Sequence, residues 1–382
     1  MHVVKVGIDA RALLAPRTGI GVYTEQIARG LAAESGVEVT LFAPREIDGK
    51  EGFPGDAVRS RSGRHPFGTV WVQTRLARAL ASERCDVLLS AVTIAPARID
   101  IPYVPVVHDL TPLTHPEWHR RKTIVAFLPW IERTLERSER IIAVSKATAA
   151  DLARRFPETR GKTVVIEHGV DPRFSPEGAP GEGEAVRREH TRGRPFILYF
   201  GTLEPRKNVG ALVAACERLW RERRERPDLL LAGSGGWKSE PLLARIARSP
   251  FRDKIHRIGW VPADAAPALL RAAEAFCYPS HEEGFGLPVL EAMASGVPAV
   301  ISTAPALLEV AGDAALSVPA MDAAGLAESL ARLIEDPSLR RDRIARGLAR
   351  AACFRWDDAA GRTAAVLREA SASGAAPGPA SS

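Results

Sequence analysis

The chain alternates short runs of β-branched and other apolar residues with longer runs of helical periodicity. This alternation limits the possible folds more than any other feature, because parallel strands need long crossover connections and those are usually helices. The predicted strands are residues 3–8, 37–43, 86–89, 103–107, 141–144, 164–166, 196–200, 229–231, 255–258, 275–278 and 299–301. The predicted helices are residues 22–33, 70–81, 120–139, 148–156, 209–224, 263–273 and 323–334. We therefore predict an α/β protein whose parallel sheets are covered on both faces.

The alternation is interrupted once, at residues 171–195, which are rich in proline, glycine and charge and hold few apolar residues. A chain of 382 residues is long enough for two domains with separate cores. We therefore predict two doubly wound domains in series, with ligands at the carboxyl ends of their strands. The predicted segments are a first domain at 1–175, a linker at 176–195, a second domain at 196–355, a final helix at 356–370 and a disordered tail at 371–382.

Composition narrows the class of protein. Apolar residues make up 46% of the chain and charged residues 26%, which is typical of a soluble globular protein. The net charge of +6 favours anionic partners without choosing among them. No apolar stretch is long enough for a transmembrane helix, and Cys85, Cys216, Cys277 and Cys353 lack metal-ligand spacing. We expect four free thiols in a reducing compartment, and therefore a cytoplasmic protein.

Residues 283–291, with the sequence EGFGLPVLE, hold two glutamates eight positions apart. Gly284 and Gly286 allow a sharp turn and a close approach of backbone N–H groups to a ligand. Pro288 suits the first position of a helix, so Glu291 falls about one turn into that helix. The positive end of such a helix attracts phosphate. The alternative is that Glu283 and Glu291 are solvated surface carboxylates.

Residues 201–208, with the sequence GTLEPRKN, place two adjacent cations after a predicted strand and just before a helix. Arg206 offers bidentate hydrogen bonds and Lys207 a compact charge, so the pair suits a diphosphate leaving group. Preorganised cations next to a developing negative charge are often the largest catalytic contribution. The alternative is an exposed cationic start of a helix.

Two candidate site features of the first domain follow predicted strands. Gly19 and Gly21 lie in a predicted loop between the first strand and the first helix, where glycines permit close approach by a phosphate or an acceptor, or simply make a tight turn. Thr24 excludes the dinucleotide-binding pattern. His108 and Asp109 follow the strand 103–107 directly, so His108 is either a site residue or a structural histidine oriented by Asp109.

The segment 278–300 resembles the nucleotide-sugar signature of family 4 retaining glycosyltransferases, and 201–208 resembles the cationic loop of a mannosyltransferase-like subgroup. Residues 166–171 resemble the strand exit of that family, with His168 where asparagine is usual. The resemblance implies the GT-B fold, in which two Rossmann-like domains face an interdomain cleft and the final helix crosses back onto the first domain. It also implies that Glu283 contacts the donor sugar and Glu291 the ribose.

The resemblance further implies a retaining hexosyltransferase that holds a nucleotide sugar. The implied catalytic residues are Glu283, His108, Arg206 and Lys207. The implied donor-binding residues are Gly19, Gly21, Gly233, Ser234, Val261, Gly284, Phe285, Gly286, Leu287 and Glu291. No Asp-x-Asp motif stands in the expected loop, so we expect neither a metal nor another cofactor.

The substrates are expected from the same subgroup. We expect mannosyl transfer from GDP-mannose to a glycan or lipid-linked oligosaccharide in cell-envelope polysaccharide synthesis, and no nucleic acid partner. Rhamnosyl or glucosyl transfer is an alternative, as is a sugar-nucleotide epimerase or a non-catalytic nucleotide-sugar binding protein. Residues 118–140 combine basic and aromatic side chains. They predict either a helix at the inner face of the cell membrane or an ordinary helix with Phe127 and Ile131 in the core.

Overall fold

The computed structural model describes residues 3–14, 18–47, 58–62, 68–222 and 227–374 of the chain. The chain folds into two compact units, and it passes between them twice. The first unit comprises residues 1–169 together with 355–382, and the second comprises residues 170–354.

The first unit contains a seven-stranded parallel sheet with strand order β3-β2-β1-β4-β5-β6-β7. Its strands are β1 (Val4–Asp9), β2 (Val37–Ala43), β3 (Val58–Ser62), β4 (Val87–Ser90), β5 (Tyr103–Val107), β6 (Ile141–Ala143) and β7 (Thr163–Val165). The order reverses between β1 and β4, so the carboxyl ends of these strands flank the point where a doubly wound sheet binds ligands.

The second unit repeats this arrangement with six parallel strands in the order β10-β9-β8-β11-β12-β13. Its strands are β8 (Phe196–Phe200), β9 (Asp228–Ala232), β10 (Ile255–Gly259), β11 (Ala275–Tyr278), β12 (Ala299–Ser302) and β13 (Leu316–Val318). The strand order reverses between β8 and β11. These two strands are continuous apolar runs, because helices cover both faces of the sheet.

The helices complete the crossovers. In the first unit they are α1 (Gly19–Ala33), α2 (Gly68–Trp71), α3 (Ala77–Ser82), α4 (Thr111–Thr114), α5 (Arg121–Arg137), α6 (Lys146–Arg155) and, after the second unit, α15 (Trp356–Gly374). In the second unit they are α7 (Glu182–Thr191), α8 (Val209–Glu222), α9 (Glu240–Arg248), α10 (Ala266–Arg271), α11 (Leu287–Ala294), α12 (Pro305–Ala311), α13 (Ala323–Glu335) and α14 (Pro337–Ala351). One turn of π-helix, Val72–Leu76, joins α2 to α3.

The predicted α/β class with two parallel, doubly wound sheets is confirmed, and most predicted strands match to within a residue at either end. The prediction missed β3 and β13, which are short strands at the outer ends of the two sheets. All four cysteines are free thiols, as predicted, and Cys277 is buried in β11. Within the described ranges, no helix is long and apolar enough to cross a membrane.

Residues 176–195 were predicted as a linker, but the structure assigns them to the second unit and folds part of them into α7. Gly181 precedes α7 in the left-handed conformation, and Glu182 forms two hydrogen bonds of 2.8 and 2.9 Å with Arg271 of α10. The composition misled the prediction because Thr191 is the only buried residue of this helix, so the sequence shows little apolar periodicity. Residues 371–374 of the predicted tail are helical, and the tail from 375 onward lies outside the described residues.

Helix α15 packs in the first unit against α1, β1, β4 and β5. The two helices approach closely at Gly30, where an added Cβ atom would lie 2.3 Å from the Cβ of Ala360. Gly169 has the same role at the start of α15, because its Cβ would lie 2.1 Å from the backbone nitrogen of Trp356. Small residues therefore set the distance between α15 and the body of the unit.

We expect the substitution Gly30→Ala to lower the melting temperature by roughly 2–10 °C, because the extra methyl group overpacks the contact between α1 and α15. The overpacking opposes the better helix propensity of alanine, which is worth about 1 kcal/mol. Thermal unfolding followed by circular dichroism measures the change.

The matched control is Gly361→Ala, one position from Ala360 on α15. A Cβ atom there meets only the Glu34 carboxylate, at an ordinary 3.5 Å. The control should leave the melting temperature unchanged or raise it. Equal melting temperatures for the two variants would contradict the close packing at Gly30.

Candidate functional site

The loops after β8, β9 and β10 are joined by backbone hydrogen bonds at the carboxyl ends of these strands. Gly201 N–H donates to Ala232 (2.9 Å), and Gly233 N–H donates to Gly259 (2.6 Å). Gly233 has a φ of +140°, and a Cβ atom there would lie 2.0 Å from the carbonyl oxygen of Gly201. Only glycine fits at this position, so the three loops form one rigid platform.

A cluster of buried charges lies at the end of the β8 loop. Lys207 Nζ donates to Glu283 Oε1 at 2.6 Å, and Arg206 Nη1 donates to Glu283 Oε2 at 3.1 Å. Lys207 also donates to the hydroxyl of Tyr278, the last residue of β11, at 2.9 Å. The predicted residues Arg206, Lys207 and Glu283 therefore meet, although 76 positions separate Lys207 from Glu283.

Glu204 completes this charge cluster, which we define as Glu204, Arg206, Lys207 and Glu283. Its carboxylate accepts from Arg206 Nε at 3.2 Å, and its residue is only 7% exposed. Two cations and two carboxylates make the cluster formally neutral.

Sequence reasoning missed Glu204, although a signal for it was present. Two other acid-x-Arg triplets, Asp9 with Arg11 and Asp171 with Arg173, also form ion pairs in the structure. This recurring pattern could have identified Glu204 as the partner of Arg206.

Burial and charge act against each other within the charge cluster. Burial would raise the pKa of Glu283, but Lys207 and Arg206 outweigh it and hold that pKa below its ordinary value. Burial is also the main cause that lowers the pKa of Lys207, followed by repulsion from Arg206, while Glu283 and Glu204 oppose the shift. Glu283 is therefore held as a carboxylate in a place that disfavours an unpaired charge.

The EGFGLPVLE motif forms the predicted loop and helix start. Gly286 has a φ of +114° directly before α11, and Pro288 occupies the first turn of that helix. A Cβ atom on Gly286 would lie 2.6 Å from the Leu307 side chain, so a larger residue would be strained in two ways. Glu291 lies in α11 with 8% exposure.

The other predicted donor residues lie at the same ends of the second sheet. Gly284, Phe285 and Leu287 are buried around the motif. Ser234 is exposed in the loop after β9, and Val261 is half-buried after β10. These positions follow consecutive strands of one sheet, which is where a doubly wound unit binds its ligand.

Gly19 and Gly21 were predicted in a loop, but both lie in a helix, because α1 already begins at Gly19. Thr18 caps this helix, and its side-chain oxygen accepts from the N–H of Gly21 at 3.2 Å. The cap starts the helix three residues before the predicted Val22. The two glycines therefore form the first turn of α1, and Gly21 packs near the carbonyl of Ala12.

His108 lies at the carboxyl end of β5, as predicted. Its Nε2 is 2.9 Å from the carbonyl oxygen of Ala91, which requires a proton on Nε2 and leaves Nδ1 as an acceptor in the neutral ring. The carboxylate of Asp109 accepts from the backbone N–H of Thr111 at 2.9 Å. The hydrogen bond that orients His108 in this structure is therefore the one to Ala91.

His108 belongs to a group of rings that we call the ring cluster: Tyr23, His108, His168 and Trp356. Tyr23 lies edge-on to His108 with 5.1 Å between the ring centroids, and His168 stacks on Trp356 at 5.5 Å. The two histidine rings are 5.9 Å apart. The ring cluster thus connects α1, β5 and the first residue of α15 inside one unit.

Burial lowers the pKa of both histidines in the ring cluster. For His108 it outweighs the opposing effects of the Ala91 carbonyl and Asp109. For His168 the repulsion from His108 adds to burial, and the pKa falls well below the usual value. Both rings are therefore neutral at neutral pH.

Phe127 and Ile131 of helix α5 pack into the core, as one of the two predicted alternatives for this helix requires. Ile131 is buried, and Phe127 packs against the same cluster of core residues. Val125 and Leu128, however, are 64% and 39% exposed on the same helix. The helix therefore has a core face and an outer face that carries apolar side chains.

Two family models match the chain, one in each unit. "Glycosyltransferase Family 4" matches residues 17–174, and "Glycosyl transferases group 1" matches residues 184–350. The matched ranges contain the ring residues His108 and His168 and the whole charge cluster.

The curated relatives include several mannosyltransferases. The chain is 34% identical over 257 residues to O-antigen chain mannosyltransferase B of Escherichia coli, covering 67% of each chain. It is 31% identical over 318 residues to the MMP alpha-(1->4)-mannosyltransferase of Mycolicibacterium hassiacum, covering 78% of this chain and 74% of the relative. It also matches the serotype-specific mannosyltransferase WbdA of Escherichia coli at 30% identity, over 26% of that protein's length.

Solved structures with the same fold include sucrose-phosphate synthase from Thermosynechococcus elongatus, with a TM-score of 0.79 and 19% identity, over 97% of this chain and 100% of that one. Anabaena Alr3699/HepE in complex with UDP-glucose has a TM-score of 0.75 and 20% identity, over 96% of this chain and 100% of that one.

These matches define an enzyme of the glycosyltransferase class with the GT-B fold. The chain belongs to the family 4 glycosyltransferases, and the prediction of a mannosyltransferase-like member, a hexosyltransferase, is confirmed. Enzymes of this class take a nucleotide sugar as donor and pass the sugar to an acceptor.

We expect Glu204→Gln to lower kcat about tenfold while the KM for the donor stays equal or falls. The neutral amide leaves the charge cluster with a net positive charge, which favours binding of an anionic donor. The same change removes a charge-assisted hydrogen bond that orients Arg206, worth about 1.5–3 kcal/mol. Steady-state kinetics with a varied donor concentration separates the two constants.

The matched control for this prediction is Glu240→Gln, an exposed carboxylate in the first turn of α9 in the same unit. It should leave both constants unchanged. A rise of KM at constant kcat in Glu204→Gln would show that Glu204 serves ground-state binding and does not orient Arg206.

We also expect the protein to lose stability as the pH falls below about 6.5, the ordinary pKa of histidine. The unfolded chain takes up protons on His108 and His168 in this range, whereas the folded chain, with its lowered pKa values, does not. Each histidine contributes up to about 1.4 kcal/mol per pH unit. Melting temperatures between pH 5 and 8 measure the slope.

The substitution His168→Asn should reduce this pH slope, because one of the two buried titrating rings is gone. The half-buried His190 of α7 provides the control, and His190→Asn should keep the wild-type slope. Identical slopes for wild type and His168→Asn would disprove the assignment.

Proposed function

We propose that this protein transfers mannose from GDP-mannose, with retention of the anomeric configuration, to a glycan or lipid-linked acceptor in cell-envelope polysaccharide synthesis. The mannosyltransferase names of its relatives support the sugar. The observation that carries the mechanism is the pairing of Glu283 with both Lys207 and Arg206. These groups match the two charged parts that the reaction needs, a diphosphate partner and a carboxylate for sugar hydroxyls.

In this proposal, the second unit holds the donor. Arg206 and Lys207 bind the diphosphate, and Glu291 on α11 hydrogen-bonds the ribose hydroxyls. Glu283 and the backbone N–H groups of residues 284–287 bind the sugar. The left-handed Gly286 supports this role, because it turns the backbone at the positive end of α11.

Donor binding exchanges one anion for another in the charge cluster. Without donor, Glu283 and Glu204 together neutralise the two cations, which would be costly to bury unpaired. The incoming diphosphate takes over Arg206 and Lys207, and this releases Glu283 toward the sugar hydroxyls. Glu204 keeps its hold on Arg206 throughout.

In the transfer step, the bond between the sugar C1 and the diphosphate oxygen breaks through an oxocarbenium-like state. The acceptor hydroxyl attacks C1 from the same face, and its proton passes to the leaving diphosphate, so the new glycosidic bond keeps the original configuration. Arg206 and Lys207 stabilise the negative charge that grows on the leaving group. Neutral His108 offers Nδ1 as a hydrogen-bond acceptor to a hydroxyl of the bound sugars.

The proposed reaction needs no metal ion, because two cationic side chains occupy the place of a metal's charge beside the diphosphate. Among the described residues, no group of three or more histidines, cysteines and carboxylates is arranged to hold a metal. We expect undiminished turnover in the presence of a chelator. Loss of turnover that Mg²⁺ or Mn²⁺ restores would contradict this part of the proposal.

A lipid-linked acceptor would bring the protein to the inner face of the cell membrane. The outer face of α5 supports such a contact, because the exposed Val125 and Leu128 lie one to two turns after the exposed Arg121 and Lys122. Apolar side chains next to basic ones suit the boundary of an anionic membrane.

A thermal-shift screen across GDP-, UDP- and dTDP-sugars tests the donor. A donor at 100 times its Kd adds about 2.7 kcal/mol to the free energy of unfolding. We expect GDP-mannose to give the largest shift and to yield a mannosylated product with a suitable acceptor. A larger shift with a glucose or rhamnose donor would contradict the assignment of mannose and indicate that sugar as the one transferred.

The variant Glu283→Gln tests the exchange of anions. We expect it to bind GDP more tightly than wild type, because the diphosphate no longer competes with a carboxylate for Arg206 and Lys207. We expect sugar transfer to fall by at least about a hundredfold, because a carboxylate contact to the reacting sugar is lost. Calorimetry with GDP and product analysis give the two values.

Glu240→Gln again serves as the control and should match wild type in both measurements. Weaker GDP binding by Glu283→Gln would mean that Glu283 only maintains the structure of the site. Normal sugar transfer by the variant would remove Glu283 from the mechanism.

A further inference from the structure

The first unit contains a cavity of about 250 Å³ between helix α5 and the segment that leads into β5. Tyr103, the first residue of β5, lies in its wall, whereas His108 follows the last residue of the same strand. With a rise of about 3.3 Å per residue, these two positions are about 16 Å apart. The cavity is therefore separate from the site at the carboxyl ends of the strands.

The wall of the cavity is held in place by specific hydrogen bonds. The Gln73 side chain donates to the carbonyl of Ala95 (3.0 Å) and accepts from the N–H of Ala97 (2.8 Å). Gln73 sits in the π-helical turn Val72–Leu76, an irregularity that is frequent at functional sites. Arg133 donates to the carbonyl of Ala97 from the opposite side, at 3.0 Å. The cavity is thus preformed.

The lining combines aromatic surface with polar groups that can form further hydrogen bonds. The half-buried Trp130 contributes ring surface, and the buried Tyr103 supports the wall by donating its hydroxyl to the Thr134 carbonyl at 3.1 Å. The Nε of Arg133 is buried and has no hydrogen-bond partner in the part of the chain that the structure describes. Asp100 and Arg137 also line the cavity and are exposed. Neither side chain forms an ion pair within the described part of the chain.

The charges of the lining decide the class of ligand. Two arginines, Arg133 and Arg137, face two carboxylates, Asp100 and Glu139, so the lining is formally neutral. A phosphate or a lipid headgroup would meet as much repulsion as attraction here. A neutral ligand with many hydroxyl groups suits this lining, because each hydroxyl can donate to a carboxylate and accept from a guanidinium. The aromatic surface suits the apolar face of a sugar ring.

We infer that this cavity is a second saccharide-binding site, which holds a sugar unit of the acceptor glycan away from the reacting end. Trp130 contacts the sugar face, and Asp100, Arg133 and Arg137 bind its hydroxyls. The site gives the enzyme a preference for longer acceptors, because a second contact on the same chain raises the local concentration of the reacting end. The inference rests on the proposed function for the identity of the glycan.

The test uses the full chain and two probes, methyl α-mannopyranoside and an α-linked mannotetraose. The test variant combines Asp100→Asn with Arg137→Ala, two exposed side chains whose replacement leaves the core intact. We expect wild type to bind the tetraose and the double variant to bind it at least about tenfold more weakly by calorimetry. The KM for the tetraose as acceptor should rise, while transfer to the monosaccharide stays unchanged.

The matched control combines Arg155→Ala in α6 with Glu132→Gln in α5, two exposed charges outside the cavity lining. It should bind the tetraose as wild type does. Equal tetraose affinity in wild type and the test variant, or no binding to wild type, would overturn the inference. Displacement of the tetraose by inorganic phosphate would also overturn it, by assigning an anion site.

The two proposals fail in different ways. If no donor supports transfer but the test variant still loses tetraose binding, the proposed function is wrong and the saccharide site stands. If transfer proceeds and both variants bind the tetraose like wild type, only the saccharide site is wrong.

Discussion

The pairing of Glu283 with Lys207 and Arg206 is the interaction on which the arrangement of the candidate site depends. Each group is nearly buried, and burying a single charge without a partner is costly, so none of the three is stable there alone. Glu204 balances the remaining positive charge. The cluster is therefore cooperative, and its geometry is fixed before any ligand arrives.

A site that binds diphosphate has a general difficulty, since two adjacent cations repel each other when the ligand is absent. In the proposed mechanism, Glu283 and Glu204 together neutralise these cations while the donor is absent, and Glu283 contacts the sugar later. Backbone hydrogen bonds hold the cationic residues in place. The N–H of His281 donates to the carbonyl of Arg206 at 2.8 Å, and the N–H of Lys207 donates to that of Glu204 at 3.1 Å. The folding requirement and the binding requirement are thus met by the same residues.

The sequence predicted Glu283, Arg206 and Lys207 because each belongs to a short local motif with glycine or proline at fixed positions. It predicted their nearness only through the topology, which brings the ends of β8 and β11 together. His108 was predicted, but Glu204 and the ring contacts of His108 were missed, because they depend on contacts between distant segments, such as Tyr23 with His168. Helix α7 was taken for a linker because its surface role leaves no apolar period.

The same reasoning explains why motifs describe the donor better than the acceptor. GDP- and UDP-sugars all present a diphosphate and a ribose, so residues that bind these groups can recur in one local pattern. Acceptors share no such group, and their recognition depends on cavities built from several elements. In the first unit, α5, the π-helical turn with Gln73 and the segment before β5 together form such a cavity. The specificity of this enzyme for its acceptor therefore follows from how these elements pack, which no single stretch of sequence records.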